Sequence, residues 1–244
     1  KLAERHGCRF QAIDLRWGVS EEAGLDHRAM RICLDELARC QRVSPRPNFI
    51  LLLGDRYGWR PPPAEIPAEE FDRLLQHVPD PALLREWYQR DDNGVPPVYV
   101  LKPLTGPYEK YEAWRPVEQG LRKALLEAAV AAGLPGLKYT ASATEQEVLA
   151  GALKVPDARE HVFAFFRTIE GLPQDPSGEP FVELDAEACE RQAALKAGLW
   201  DWLRGNVHEY KAKWTGDGIT TDHLDALCAD VERRLSEGIE REAS

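Results

Sequence analysis

The sequence predicts an α/β fold in which helices flank a parallel β-sheet. Two continuous apolar runs, Phe49–Leu53 and Val162–Phe166, are bounded by polar or turn-forming residues. Such runs are typical of parallel strands, because both faces of a parallel sheet are covered. Other segments, such as the one from Val117 to Ala132, place apolar residues at helical spacing. Strands of this type among helical patterns indicate the α/β class.

Composition is that of an ordinary globular protein. The 244 residues are enough to bury a sizeable core, and charged residues make up 30% and hydrophobic residues 43% of the chain. The net charge of −10 argues against a general affinity for nucleic-acid backbones or anionic membranes. No apolar run is long enough to cross a bilayer and no signal-peptide pattern is present, so we expect a cytoplasmic protein.

The cysteines indicate neither a metal site nor a disulfide framework. The chain contains five of them, an odd number, and no two form a CxxC pair. We therefore expect reduced thiols that are mostly buried. The sequence also lacks a glycine-rich phosphate loop, so no metal or cofactor is expected and a Walker-type ATPase is not supported.

Four strands are predicted for the sheet, with Phe49–Leu53 in its interior. They are Phe10–Leu15, Phe49–Leu53, Pro97–Pro103 and His161–Arg167. Ligands of open parallel sheets bind outside the carboxyl ends of the strands, so we expect the polar and aromatic residues there to line one edge. These candidate ligand-binding residues are Asp14, Arg16, Trp17, Asp55, Arg56, Tyr57, Trp59, Lys102 and Arg167.

Helical spacing and capping residues predict the remaining elements. Lys1–His6 is interpreted as the end of a helix closed by Gly7, and residues 104–116 as an irregular loop. Alternation in Val207–Trp214 predicts a half-exposed strand at a sheet edge. The predicted helices are His27–Gln41, Ala68–Leu75, Pro81–Gln89, Val117–Ala132, Ser142–Leu153, Ala186–Arg204 and Thr221–Glu242.

Four segments carry a resemblance to a known family. They are Ile13-Asp-Leu-Arg-Trp-Gly-Val19, Ile32-Cys-Leu-Asp-Glu-Leu37, Leu53-Gly-Asp-Arg-Tyr-Gly-Trp59 and the stretch from Tyr88 to Leu101. Together they resemble the TIR-like domain of unknown function at the N-terminus of STAND proteins with NACHT and WD-repeat modules. Relatives of telomerase-associated protein and bacterial STAND ATPases also carry this domain.

The resemblance implies a flavodoxin-like sheet. It also predicts a strand before the matched region and an extension after it. The family's first strand and helix motif are absent here, so we expect that strand upstream of residue 1, between Phe10–Leu15 and Phe49–Leu53. A direct hydrogen-bonded pairing of those two segments would contradict this topology. The expected organisation is a TIR-like domain over residues 1–175 and a helix–strand–helix extension over 176–244 packed on the same domain.

The resemblance also points to candidate catalytic residues. TIR domains that hydrolyse NAD use a glutamate on the helix after the third strand, which corresponds to Phe49–Leu53. Glu69 and Glu70 are therefore the catalytic candidates, although carboxylates in the first turn of a helix are usually solvated. Asp14, Arg16, Asp55 and Arg56 can equally form a structural salt-bridge network, and Trp17, Tyr57 and Trp59 can simply anchor loops.

Two functions remain open from the sequence. The first is a signalling or effector module of a STAND sensor that assembles with other copies of itself. The second is a NAD or nucleotide glycosidase that is activated by oligomerisation and binds an NAD-like small molecule. A filled sheet edge with paired charges favours the module, whereas a carboxylate with aromatic and basic neighbours at that edge favours the enzyme.

Overall fold

A computed structural model describes Gly7 and residues 11–15, 18–44, 46–173 and 177–242 of the chain. Nine α-helices and six β-strands lie within these ranges. The helices are α1 Glu21–Leu25, α2 Ala29–Val43, α3 Ala68–Leu75, α4 Ala82–Trp87, α5 Tyr111–Ala131, α6 Leu137–Thr140, α7 Ala143–Val148, α8 Ala186–Leu203 and α9 His223–Glu242. The strands are β1 Phe49–Leu53, β2 Glu65–Pro67, β3 Tyr88–Asp91, β4 Val98–Leu101, β5 Val162–Glu170 and β6 Val207–Lys213.

The chain divides into two compact units. The first contains Leu34–Gly58 together with the described residues up to Asp14 and from Thr144 onward. The second contains Leu15–Cys33 and Trp59–Ala143. The boundary falls inside α2, so the first unit is assembled from separate parts of the sequence.

A parallel sheet forms the centre of the first unit. Its strand order is β1-β5-β6, with Phe49 opposite Val162 and Ala164 opposite Val207. The predicted α/β fold with a parallel sheet and flanking helices is confirmed. Five successive residues of β5, from Val162 to Phe166, are buried, which explains the continuous apolar run in the sequence. The core on this sheet consists of Leu51, Leu53, Val148, Ala152, Ala158, Val162, Ala164, Phe166, Leu195, Leu199, Leu203 and Val207.

The two outer strands of this sheet differ in how well they were predicted. The edge strand Val207–Lys213 is present, parallel to β5, and its partly exposed residues alternate with more exposed ones as expected. The prediction that β1 lies in the interior of the sheet is wrong for the described strands, because β1 is at one end of the order β1-β5-β6. Accordingly, Leu52 of β1 is 49% exposed, whereas Leu51 and Leu53 are buried.

The second unit contains a separate, antiparallel sheet with the order β2-β4-β3. The predicted strand around Val98–Leu101 exists as β4, but its position in the parallel sheet is wrong. Its partners are Glu65–Pro67 and Tyr88–Asp91, both antiparallel. β4 pairs with β3 because a short connection between the two strands places them side by side. The core of the second unit includes Ile66, Phe71, Leu74, Leu84, Trp87, Tyr88, Leu101, Trp114, Leu121 and Leu125.

Several boundaries also differ from the sequence-based expectation. α5 begins at Tyr111, within the stretch expected to be irregular, and it contains Pro116. Residues 88 and 89 belong to β3, so the helix expected to reach Gln89 ends at Trp87. The helix continues through Pro116 although a proline there predicts irregular structure. The packing of Trp114 and Leu121 in the core offsets the loss of the backbone hydrogen bond that a proline cannot donate.

The predicted first strand is not observed where the chain is described. Residues 11–14 have no regular structure, and Phe10 lies outside the described residues, as does the expected helix end Lys1–His6. The described ladder of β1 runs to β5, so the pairing that would contradict the expected topology is not found among these residues. No helix in the described ranges is both long and apolar enough to cross a membrane.

Candidate functional site

The candidate site lies in the first unit at the carboxyl end of β1, beside the middle of β5. Gly54 and Asp55 follow directly after β1, and Arg167 follows Phe166, the last partner of β1 on β5. The backbone of Asp55 forms an isolated parallel bridge with Val182, and its carbonyl accepts from the Glu183 amide at 3.1 Å. The chain after β1 is therefore held in an extended conformation at the edge where parallel sheets bind ligands.

Helix α8 fixes this end of β1 through two polar side chains. Gln192 Nε2 donates to the Gly54 carbonyl at 2.8 Å, and Lys196 Nζ lies 2.8 Å from the Asp55 carboxylate. The two residues are four positions apart and therefore share one side of the helix. Leu195, Leu199 and Leu203 on α8 pack into the core of the sheet, and this packing sets the position of the polar pair.

A buried tyrosine, a glutamate and an arginine form the second part of the site. Tyr57 is completely buried and its hydroxyl donates to the carboxylate of Glu145 in the first turn of α7. Arg191 of α8 lies 3.4 Å from the same carboxylate and also contacts Glu187 at 3.2 Å. Burial alone lowers the pKa of Arg191, but its contacts with Tyr57, Glu187 and Glu145 raise that pKa above its ordinary value overall.

We refer to Asp55, Tyr57, Glu145, Arg191, Gln192 and Lys196 as the strand-end cluster. Its charges are arranged in pairs, because Asp55 contacts Lys196 and Glu145 contacts Arg191. The side chain of Glu145 is only 13% exposed, so its contact with Arg191 is shielded from water more than a surface ion pair would be. No group of three metal-binding side chains occurs within the described parts of the chain.

Two polar atoms beside the strand-end cluster are buried without a hydrogen-bond partner. They are Nε of Arg167 and Oε1 of Gln192, whose side chain is almost completely buried. Gln192 contacts the Gly54 carbonyl through its Nε2, and Nη2 of Arg167 is 3.4 Å from the position that a Cβ on Gly54 would take. An unsatisfied buried polar group costs about 1–3 kcal/mol, and such groups in folded proteins call for a specific reason.

The second unit contains a different buried carboxylate. Trp59 Nε1 donates to Glu118 Oε1 at 2.7 Å, while the side chain of Trp59 stays 43% exposed. Burial raises the pKa of Glu118 above its ordinary value, and hydrogen bonds from Trp59, Trp114 and Tyr111 offset only part of this effect. Trp59 thus anchors its own loop to α5.

The expected catalytic glutamates also lie in the second unit. Glu69 is exposed in the first turn of α3, and Glu70 in the same turn contacts Lys138 at 3.1 Å and accepts from the hydroxyl of Tyr139. These contacts occupy the carboxylate of Glu70 in the described structure. Burial and the hydrogen bond to Glu70 raise the pKa of Tyr139.

The structure brings together only part of the expected edge. Asp55 and Tyr57 follow β1 in the first unit and Arg167 lies in β5, while Arg56 donates to the Pro180 carbonyl at 3.3 Å. Lys102 instead follows β4 of the antiparallel sheet, so its expected position at the end of a parallel strand is wrong.

The four-residue salt-bridge network that the sequence suggested is not the arrangement found at Asp55. Asp14 has no strand around it, and Arg16 and Trp17 lie outside the described residues. Asp55 has Lys196 as its ion-pair partner.

Four residues of the strand-end cluster were missed by the sequence reasoning. In the sequence pattern Glu145 is only a carboxylate in the first turn of a helix, and α8 belongs to the predicted helix–strand–helix extension. The available signal was weak: Gln192 and Lys196 are polar residues four apart on a helix whose other inward positions are apolar.

The chain is similar to proteins that carry NACHT and WD-repeat modules. It is 30% identical over 248 residues to human "NACHT domain- and WD repeat-containing protein 1", which covers 93% of this chain and 16% of that protein. This chain is a homologue of one region of the NACHT and WD-repeat proteins. Human "NACHT and WD repeat domain-containing protein 2" is 38% identical over 104 residues, covering 41% of this chain and 6% of that protein.

A shorter match extends to a telomerase component. "Telomerase protein component 1" of Rattus norvegicus is 35% identical over 74 residues, which cover 30% of this chain and 3% of that protein. This chain spans about one sixth of the length of the human and mouse "NACHT domain- and WD repeat-containing protein 1". No protein-family model matches the sequence, and no solved structure matches it.

Proposed function

We propose that this chain is the N-terminal, TIR-like signalling module of a cytoplasmic STAND protein of the NACHT type, and that it acts by assembling with other copies of itself. The similarity along 93% of the chain to a NACHT and WD-repeat protein supports its place as one part of a much larger protein. The parallel α/β sheet is the fold that the TIR-like resemblance implies. The step from module to self-assembly rests on the surface of α8.

The observation that carries self-assembly is an exposed apolar face on α8. The inward face of this helix is buried through Ala188, Leu195, Leu199 and Leu203. On the opposite side the exposed residues include Ala193, Ala197 and Trp200, which recur at helical spacing. Exposed apolar residues that line up on one side of a helix can mark a contact surface, so we assign this outer stripe of α8 to contact with a second copy.

Small residues beside one large aromatic suit a helix-to-helix contact. Ala193 and Ala197 allow another backbone to approach, and the ring of Trp200, 47% exposed, supplies the kind of side chain that dominates binding energies at interfaces. Joining copies through a larger oligomer raises their local concentration to the millimolar range, at which a weak contact becomes populated. The isolated chain is therefore expected to be monomeric at micromolar concentration.

The test compares the full-length protein with three variants under activating conditions. Size and stoichiometry are measured by mass photometry, and contact between modules by cross-linking. Trp200→Glu and Ala197→Glu are expected to abolish module cross-links while the larger oligomer persists. Leu224→Glu, which also places a charge at an exposed apolar position of the first unit, is the matched control and should leave the cross-links unchanged. Unchanged cross-links in both α8 variants would overturn self-assembly through this face.

The alternative function, a NAD or nucleotide glycosidase, is favoured by one observation in the first unit. Glu145 is a largely buried carboxylate at the sheet edge with an aromatic neighbour, Tyr57, and a basic neighbour, Arg191. A carboxylate in such a position can stabilise positive charge that develops on a ribosyl centre as a base leaves. Glu145 therefore joins Glu69 and Glu70 as a candidate for this role.

The glycosidase test measures nicotinamide release from NAD by the oligomerised full-length protein. Glu69→Ala, Glu70→Ala and Glu145→Ala are compared, each after its thermal stability has been checked. Loss of release in Glu145→Ala alone would support the enzyme with its site at the strand-end cluster, and loss in Glu69→Ala or Glu70→Ala would place it in the second unit. Absence of release from the unmodified protein excludes the NAD reaction.

A further inference from the structure

We propose that a row of aromatic and arginine side chains on the second unit binds a short stretch of single-stranded nucleic acid. The row consists of Tyr111, Arg115 and Arg122 on α5 together with Trp59, and we call it the aromatic–arginine row. Positions 111, 115, 118 and 122 recur at intervals of three and four residues, so they share one face of the helix. Trp59 joins that face through its hydrogen bond to Glu118.

The two aromatic side chains of the row are held by the same buried carboxylate and keep much of their surface open to solvent. Trp59 Nε1 donates to Glu118 Oε1 at 2.7 Å, and Glu118 also accepts from Tyr111. Trp59 is 43% exposed and Tyr111 is 54% exposed. Within the described ranges, no ring–ring contact and no cation–π contact involves either of these two rings. Their faces are therefore available for stacking.

Two guanidinium groups give the row its positive charge. Arg115 is exposed and has no ion-pair partner in the part of the chain that the structure describes. Arg122 is partly buried. Burial and then the charge of Glu118 raise the pKa of Tyr111, and the charges of Arg115 and Arg122 oppose this rise. Both guanidinium groups thus lie close enough to Tyr111 to act on its hydroxyl.

The order along α5 is an alternation of rings and cations. Tyr111 comes first, followed by Arg115, then Trp59 at the level of Glu118, and then Arg122. A single nucleic-acid strand alternates in the same way, because flat bases are separated by phosphates. Bases stack on exposed aromatic side chains, and guanidinium groups bind phosphate oxygens. The helix from position 111 to position 122 is roughly 16 Å long, which suits a few nucleotides.

The hydrogen bonds to Glu118 also decide what the row can distinguish. The indole N–H of Trp59 and the hydroxyl of Tyr111 are both directed to this carboxylate, so the rings contribute stacking surface and not hydrogen bonds to base edges. Binding is therefore expected to tolerate any base sequence. A duplex is excluded from stacking on the row, because its bases are already stacked on one another.

The net charge of the chain limits how strongly the row can bind. With a net charge of −10, the rest of the surface repels a long polyanion, so we expect weak, local binding that decreases with salt. The proposal does not rest on either proposed function, since it requires neither assembly through α8 nor cleavage of a ligand.

The experiment measures binding of a short, fluorescently labelled oligothymidylate to the 244-residue chain by fluorescence anisotropy at several salt concentrations. Two phosphate contacts predict that the logarithm of the association constant falls against the logarithm of salt concentration with a slope of about −1.4. A duplex of the same length and a polyglutamate peptide are the comparison ligands. Both are expected to bind at least about tenfold more weakly than the oligothymidylate.

Variants separate the charge of the row from its stacking surface. Arg115→Gln should weaken binding and reduce the salt slope to about −0.7, because one phosphate contact is lost. Tyr111→Leu and Trp59→Leu should each weaken binding by about fivefold or more with the slope unchanged, because they remove a ring but no charge. Lys123→Gln removes an exposed cation next to the row on the same helix, and this charge-matched control should change binding by less than about twofold.

The melting temperature of each variant is measured alongside binding, because Trp59 also contacts the buried Glu118. Tyr111 is exposed, so Tyr111→Leu tests stacking even if Trp59→Leu fails to fold. Equal weakening by Arg115→Gln and Lys123→Gln would overturn the site, as would unchanged binding in Tyr111→Leu or no binding by the unmodified chain. Equal affinity for polyglutamate and oligothymidylate would also overturn it, since the row would then attract any anionic chain, including an acidic peptide.

Discussion

The two compact units hold a buried carboxylate in different ways. In the first unit Glu145 lies between the Tyr57 hydroxyl and the guanidinium of Arg191. In the second unit Glu118 accepts from the indole of Trp59, and burial raises its pKa. Only one residue separates Tyr57 from Trp59 in the sequence. Neighbouring aromatic residues thus serve two sites in which the buried carboxylate has different partners: a guanidinium and a tyrosine hydroxyl in the first unit, and the side chains of Trp59, Trp114 and Tyr111 in the second.

The largest effect is expected from Glu145→Gln. This change removes the more buried of the two carboxylates that contact Arg191 and weakens the hydrogen bond of Tyr57, so we expect a loss of about 1–3 kcal/mol of unfolding free energy. Urea denaturation at neutral pH measures it. Glu187→Gln is the matched control, because Glu187 also contacts Arg191 but is 52% exposed, and it should lose less than about 1 kcal/mol. Equal losses of unfolding free energy in the two variants would show that the burial of Glu145 does not strengthen its contact with Arg191.

A smaller effect with a characteristic pH dependence is expected from Glu118→Gln. A carboxyl group whose pKa is raised on folding stabilises the fold in its protonated form, and this contribution is lost as the pH rises from the ordinary value of 4.5 through the folded pKa. The unmodified chain should therefore lose stability over this window relative to Glu118→Gln. At neutral pH the substitution itself should change stability by less than about 1 kcal/mol, because glutamine keeps an acceptor for Trp59.

The measurement is a series of urea denaturation curves from acidic to neutral pH. Glu112→Gln, an exposed carboxylate in the first turn of the same helix, is the matched control and should follow the unmodified chain. If Glu118→Gln also follows the unmodified chain, the carboxyl of Glu118 titrates alike in the folded and unfolded states and the contrast between the two units fails.

The smallest effect is expected from His208, a base in the first unit. Its pKa is lowered, whereas the pKa of Glu118 is raised. His208 of β6 stacks on Phe165 and accepts from Arg234 of α9 at 3.0 Å through its Nε2. Burial and then the charges of Arg234 and Arg233 lower the pKa of His208, against the opposing effect of Asp230. A histidine with a lowered folded pKa contributes stability that is present above its ordinary value of 6.5 and is lost as the pH falls.

His208→Gln should therefore remove part of the stability loss of the unmodified chain between neutral pH and about pH 5. The same denaturation series measures this effect, with His77→Gln, an exposed histidine of the second unit, as the control. The two units then respond at different pH: the acid Glu118 as the pH rises from 4.5, the base His208 as it falls below 6.5. If the stability of His208→Gln falls below neutral pH as steeply as that of the unmodified chain, Arg234 does not restrict protonation of His208.

The fold was predictable where a sequence pattern is specific to one element. The apolar runs of β1 and β5 and the alternation in β6 predict strands, and the parallel α/β class follows from them. β2 and β3 were missed because Glu65-Ile-Pro67 and Tyr88-Gln-Arg-Asp91 contain no such pattern. The partner of β4 was wrong because a run of four residues carries no information about which strand it pairs with.

The site was predictable only on the strand side. The residues Gly54, Asp55 and Tyr57 follow an obvious strand, so their place at a sheet edge could be inferred. Their partners come from α7 and α8, and no local pattern connects position 55 with position 196. Those contacts arise from helix packing on the sheet, which depends on long-range burial of residues such as Leu199.

The central claim is that α8 fixes the end of β1 and thereby forms the strand-end cluster. A double-mutant cycle between Asp55→Asn and Lys196→Gln tests it most directly, because these two side chains join the strand end to the helix. The exposed pair Glu170–Lys211 has the same separation of 2.8 Å, with side chains 46% and 72% exposed, and provides the reference cycle. We expect a coupling of about 1 kcal/mol for Asp55–Lys196 and less than about 0.5 kcal/mol for the reference pair. A coupling for Asp55–Lys196 no larger than that of the reference pair would contradict the claim.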